Sequence, residues 1–214
     1  MNTRESGVPL PSQATLRPQG NATVSTAALT GIPAVLLDLG MDPELVLAEL
    51  GVEATVFEVA TNVISYKAVG SVVQHCAIRT GCPHFGLLVG QKGGLASVGL
   101  LGMLMRYSPD VETALRSLIG HFHFQVRGAG IKLDQYGSKA LLSWHPYEPG
   151  VPAGDQIDDG AIAELHNMLR ELCGPEWKPT AVYFGHERPG DIAPFRAFFG
   201  APMFFDSDYH ALEF

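Results

Sequence analysis

The most conspicuous chemical grouping in the chain is His121-Phe122-His123-Phe124. Neutral imidazole is a good ligand for transition metals, so two histidines this close raise the question of a metal or haem site. On a helix of roughly 3.6 residues per turn, positions two apart point about 200° from each other, so His121 and His123 cannot close on one ion. Packing, or a hydrogen bond to a small molecule, suits them better. Cys76 and Cys82 invite a zinc reading, but no second pair stands at finger spacing, and with Cys173 the three cysteines read as reduced, partly buried thiols. No metal or cofactor is expected.

Covalent catalysis finds no support either. A strained nucleophile elbow needs Gly-x-Ser-x-Gly, and Gly70-Ser71 and Gly137-Ser138 both lack the second glycine. The glycines between Gly86 and Gly102 end in no Gly-Lys-Ser/Thr and contain no Gly-x-Gly-x-x-Gly, so they form no phosphate loop and are read as sites of close backbone packing. No catalytic residue is assigned, and the chain is expected not to be an enzyme.

Trp144, Tyr147, Trp177 and Tyr183 join apolar area to a polar handle, which suits a pocket wall, an interface or an ordinary place in the core. Arg106 and Arg127 bracket a strongly signalled helix and could hold an anion or sit in solvent. Within that helix Phe122 shares the apolar stripe of Val111, Leu115 and Leu118, so His123 and Phe124 must face elsewhere and need another partner. The next element in sequence offers Trp144, which alternates onto the same strand face as Ala140 and Leu142. A pocket and a dimer interface would use these aromatics equally well.

The elements that must position these groups can be read from caps, breakers and periodicity. Residues 1–26 form a loose Pro-, Gly- and Ser-rich arm, and 27–214 form one domain. Helical patterns run from Ala27 to Gly40, from Asp42-Pro43-Glu44 to Gly51, and from Ser65 to Gly81. The apolar, glycine-rich stretch from Phe85 to Met105 reads as a tightly packed helix-loop-helix or irregular core segment. Ser108-Pro109-Asp110 opens the helix that lasts until Gly128. The period then changes to two on either side of Tyr136-Gly137-Ser138, which is a β-hairpin. A long loop follows, then a helix through Ile157, Ala161, Leu165, Met168 and Leu172, a strand at Val182-Tyr183-Phe184, a helix from Ile192 to Phe199 and a strand from Met203 to Phe205. The expected fold class is α+β: a helical N-terminal half packed with a small, mainly antiparallel sheet in the order hairpin, helix, strand, helix, strand.

Composition narrows the function classes. At 46% hydrophobic and 17% charged residues the chain is a folded protein. Lys and Arg number 14 against 22 Asp and Glu, a net charge of −8, and the cations are scattered singly, so nothing tracks a phosphate backbone. The best apolar run, Leu95 to Met105, is broken by Gly99 and Gly102 and is far short of the roughly 20 residues a membrane span requires. With no signal-like apolar core near the N-terminus, a cytoplasmic protein is expected.

A set of landmarks is more specific than any of these. Gly40-Met41-Asp42-Pro43-Glu44-Leu45, Phe85-Gly86-Leu87 with Gly90, Gly99-Leu100-Leu101-Gly102, and Ser108-Pro109 with Ala114-Leu115 occupy the first half. Trp177-Lys178-Pro179, Val182-Tyr183-Phe184-x-His186 with Pro189, Phe198-Phe199-Gly200-Ala201-Pro202, Phe205 and the closing Ala211-Leu212-Glu213-Phe214 occupy the second. Together they resemble the N-terminal effector domain of one branch of AraC/XylS-type bacterial transcription regulators. Asp110 departs from the threonine common in that family, although either residue serves at a helix start.

The resemblance implies a cytoplasmic sensor that binds a small-molecule effector, forms a homodimer, and reaches promoter DNA only through a helix-turn-helix domain expected beyond residue 214. The geometry of the Ser108 to Arg127 helix and the hairpin puts the expected pocket between them, and His123, Phe124, Arg127, Trp144 and Tyr183 are the expected ligand contacts. A free-standing small-molecule-binding or protein-interaction domain, and a small-molecule enzyme, are the competing classes. The charge balance gives a direct test: this chain alone should not shift duplex DNA in a gel, and salt-sensitive association would contradict the reading.

Overall fold

A computed structural model of the chain describes residues 22–57 and 62–214. The proposed arm over 1–26 therefore falls, for residues 1–21, outside the described residues. Its last residues belong to the fold, because Thr23–Ser25 form strand β1, with Val24 and Ser25 buried. After a 3-10 turn at Thr26–Leu29 come helices α1 (Gly31–Asp38) and α2 (Pro43–Ala48). Helix α2 starts where the Asp42 carboxylate accepts from the Glu44 amide at 3.0 Å, ahead of a proline whose missing N–H costs nothing in the first turn.

Strand β2 (Val63–Ser65) runs directly into α3 (Tyr66–Thr80), with Ser65 Oγ accepting from the Ala68 amide at 3.1 Å. Gly81, at φ 64°, closes α3 in the left-handed conformation that favours glycine. The glycine-rich stretch resolves into α4 (Phe85–Gln91), a 3-10 turn at Leu95–Val98, and α5 (Leu100–Arg106). Helix α6 spans Val111–His121 and is capped by Asp110, which accepts from Thr113 N at 2.7 Å.

Here the structure corrects the expected boundary at Gly128. The helix stops at His121; Phe122–Phe124 form a 3-10 turn, and Val126–Arg127 form strand β3. The cause is a long-range pairing that no local pattern announces: Val126 pairs with Val24 of β1, and Ser25 N donates to Gln125 O at 2.7 Å. Strands β2, β1 and β3 thus make a small three-stranded sheet.

The hairpin is β4 (Ala129–Tyr136) with β5 (Lys139–Pro146). Helix α7 (Gly154–Cys173), β6 (Ala181–Tyr183), α8 (Ala193–Phe199) and β7 (Met203–Phe204) follow in the expected order. One further strand, β8 (His210–Glu213), was not expected, and it lies between β5 and β6. The five-stranded order is β4-β5-β8-β6-β7, antiparallel except for β6 with β7. The α+β class therefore holds. Among the described residues no helix is long and apolar enough to cross a membrane, and Cys76, Cys82 and Cys173 are all free.

Helices α4 and α7 touch through their main chains. A Cβ added to Gly90 would sit 2.1 Å from the Gly160 carbonyl oxygen, and one added to Gly86 would sit 2.0 Å from that of Gln156. No side chain can occupy either position without forcing the helices apart. Gly90→Ala should cost about 1–3 kcal/mol or more in urea denaturation, as overpacking does. Gly120 in α6 has open space around it. Gly120→Ala should instead stabilise by up to about 1 kcal/mol through helix propensity. Equal effects at the two positions would refute the backbone-contact account.

Candidate functional site

A cavity of about 90 Å³ lies beside the α4–α7 contact. Helix α7 presents Ile157, Gly160, Ala161, Glu164, Leu165 and Met168 to it, at spacings that keep all six on one face. Tyr66, Val69 and Val73 of α3 and Gly86, Val89 and Gly90 of α4 form a second wall. Val24, Phe122, Val126, Ile131 and Trp144 close it from the side of the two sheets. The small sheet that ends α6 early therefore also carries one edge of the cavity.

The lining is apolar apart from five polar side chains, and among the described residues it includes no Lys, Arg or His. Four of the five have protein partners. Gln156 Oε1 accepts from Gly86 N at 3.1 Å, Gln125 Nε2 donates to Val98 O at 3.3 Å, and Trp144 Nε1 donates to Asp158 Oδ1 at 2.7 Å. Glu164 accepts from the Ser97 hydroxyl through Oε1, and its Oε2 makes no hydrogen bond among the described residues. Burial pushes the Glu164 carboxyl up to about 7 against the pull of Ser97. The Tyr66 hydroxyl is buried without a partner, and burial raises its phenol above the ordinary range, helped by the charge of Asp158.

Behind Trp144 runs a line of buried acids and imidazoles. Asp158 and Asp159 are consecutive on α7 and both buried. Asp158 holds the Trp144 indole and stands 3.4 Å from His210 Nε2, while His210 Nδ1 accepts from Gly185 N at 3.3 Å. Burial pushes the Asp158 carboxyl up to about 7 and the His210 ring down to about 4, so both members lean to their uncharged forms. Asp159 meets His186 Nε2 at 2.8 Å. Among the described residues no cluster of three or more His, Cys, Asp or Glu side chains could hold a metal ion.

Of the residues singled out from sequence, Trp144 stands in the cavity wall, buried, with Phe122 edge-on to it at 5.8 Å. His123, Phe124 and Arg127 do not line the cavity; all three are exposed, and Phe124 packs against His123 at 4.1 Å. They were placed there by a continuous helix through Phe124, which the 3-10 turn and β3 replace. Tyr183 stacks on Phe204 at 5.3 Å on the larger sheet, away from the cavity. Sequence reasoning passed over Tyr66, Gln125, Gln156, Asp158 and Glu164. Glu164 left one signal, an acid falling within the helical stripe of Ile157, Ala161, Leu165 and Met168.

The Asp159–His186 pair makes stability depend on pH. Burial disfavours the His186 imidazolium, but the hydrogen bond and charge of Asp159 outweigh it and hold the ring up to about 9, against an ordinary value of 6.5. The folded state keeps a proton that the unfolded chain has released, so this contribution is complete below pH 6.5 and fades as pH rises toward 9. Thermal denaturation across that window should show a falling melting temperature in the native chain and a flatter profile in His186→Gln. Identical slopes would show that His186 carries no such proton.

The comparisons with known proteins agree with this architecture. The HTH-type transcriptional regulator VirS of Mycobacterium tuberculosis, in strains CDC 1551/Oshkosh and H37Rv, is 22% identical over 188 residues, covering 86% of this chain and 55% of that protein. The crystal structure of the transcriptional regulator CdpR from Pseudomonas aeruginosa shares the fold, with a TM-score of 0.60 at 15% identity, over 87% of this chain and 54% of that one. The chain thus spans about half the length of the relatives it matches. The profile of the arabinose-binding domain of AraC transcription regulators, an N-terminal domain of regulators and not an enzyme class, matches residues 40–214. With its acid-flanked cavity and mixed sheet, the chain belongs to that family of AraC-type regulator domains.

Proposed function

We propose that this domain is the sensing and dimerisation half of a cytoplasmic AraC-type regulator, that a small effector occupies the cavity against Trp144, and that occupancy biases a helix-turn-helix domain attached beyond residue 214. The observation that carries the reading is the composition of the cavity wall. Helices α3, α4 and α7, the hairpin and the β1–β3 sheet all contribute to it. A molecule bound there touches each layer at once, so it can favour one arrangement of those layers over another, and differential affinity is all that such control requires.

Dimerisation is supported by α5. Leu100, Met103, Leu104 and Tyr107, spaced as one helical stripe, are 83%, 56%, 51% and 81% exposed. Isolated surface leucines are ordinary, but a contiguous apolar stripe usually has a partner. A second copy related by a two-fold axis would set the stripe against itself, the self-complementary contact of cyclic dimers.

Filling the cavity separates the two halves of the proposal. Ala161→Leu should abolish any metabolite-dependent rise in melting temperature and any reporter response of the full-length regulator, while leaving the sedimentation mass unchanged. Leu104→Lys should yield a monomer that still binds the effector. A cavity-filled variant that responds normally would overturn the sensing site, and a monomeric native protein would overturn the dimer.

A further inference from the structure

The wall of the cavity limits what it can hold, given the reading above that the cavity is the effector site. An anion finds no cation there, since no Lys, Arg or His lines the cavity among the described residues while Glu164 lines it and Asp158 stands behind Trp144. A sugar fits poorly for a different reason. A pentose has about ten heavy atoms, and the cavity of about 90 Å³ is smaller than the roughly 150 Å³ that takes six-carbon benzene. Among the lining side chains, Glu164 Oε2, the Tyr66 hydroxyl, Gln125 Oε1 and Gln156 Nε2 make no hydrogen bond among the described residues, and Glu164 is the one acid among them.

Glu164 is the most informative of these. It occupies the middle of the cavity-facing stripe of α7, about one turn after Gly160 and Ala161. An acid held among apolar side chains is stabilised by a donor, most of all by a cationic one, because pairing offsets the desolvation of both charges. The size limit is as clear. A cavity of about 90 Å³ is smaller than the engineered cavity of about 150 Å³ that takes benzene, so the ligand has roughly four to six heavy atoms unless Met168, the most flexible lining side chain, moves aside.

We infer that the cavity selects a compact, mainly apolar molecule carrying a single hydrogen-bond-donating nitrogen, a small alkylamine being the best match, with that nitrogen on Glu164. Burial has already pushed the Glu164 carboxyl up to about 7, and an ammonium beside it would bring it back down. The domain would then report on short apolar amines, the class of product that decarboxylation of apolar amino acids supplies.

The test uses isobutylamine, isobutanol, isobutyrate and L-arabinose as probes on the whole chain, with binding read by thermal shift and calorimetry. Isobutylamine should bind about tenfold more tightly than isobutanol, the margin expected of a charge-assisted hydrogen bond. Isobutyrate and arabinose should not bind. Glu164→Gln should bring the amine down to the level of the alcohol and leave the alcohol unchanged, so a folded variant is recognised by its retained isobutanol binding. Isobutyrate or arabinose binding as tightly as the amine would overturn the ligand class, as would an amine indifferent to Glu164→Gln. Isobutanol binding that Ala161→Leu blocks, with no preference for the amine, would overturn the ligand class and leave the cavity as the site. If no probe binds, or if Ala161→Leu leaves every affinity unchanged, the cavity is not the effector site and both readings fall.

Discussion

Two helices that meet through their main chains govern the rest of this domain. Because Gly86 and Gly90 carry no side chain, α4 lies directly on α7 around Gly160, and the long helix is fixed in depth against the helical half. Everything that α7 carries is positioned by this contact. On one face it sets Ile157, Ala161, Glu164 and Met168 around the cavity. Farther around, it brings Asp158 to Trp144 and Asp159 to His186, which ties the helix to the larger sheet. Close-packed interiors transmit such displacements instead of absorbing them, so a shift of α7 would be felt at both places.

The buried acids give that connection its specificity. Apolar packing alone would let α7 slide along the sheet with little penalty, since hydrophobic contacts are non-directional. The indole N–H of Trp144 and the imidazole of His186 each accept only one placement of their carboxyl partners, on consecutive residues of the helix. Trp144 belongs to both systems: its ring walls the cavity and its nitrogen holds the helix. A ligand that displaced the ring would therefore disturb the anchoring of α7, which is a direct physical route from occupancy to the relative placement of helix and sheet.

What the sequence made legible follows from the range of the forces involved. Helices α2, α3 and α6 begin where Asp42, Ser65 and Asp110 say they should, because a cap is a hydrogen bond to an amide two or three residues away. The hairpin is legible for the same reason, its turn and its alternation being local. The end of α6 was not, since Phe122 continues the apolar stripe and only the pairing of Val126 with Val24, about a hundred residues away in sequence, removes the chain from the helix. At the site, Trp144 was legible as an aromatic with a donor on a strand face. Glu164 was not, because an acid on a long helix reads as solvated until the wall opposite it is known. His123, Phe124 and Arg127 lie outside the cavity wall because the chain leaves the helix after His121.

Strand β8 has a consequence for the order in which the molecule is built. Of the strands in this sheet it is the last in sequence and the middle one in space, pairing β5 on one side and β6 on the other. Until His210–Glu213 have left the ribosome, the hairpin and the β6–β7 pair are two separate fragments with unpaired edges facing a gap. The helical half has all of its elements once α7 has been made, and can condense before then. The larger sheet closes only once residues 210–213 are in place, and a chain interrupted before them would hold that gap open to any passing strand.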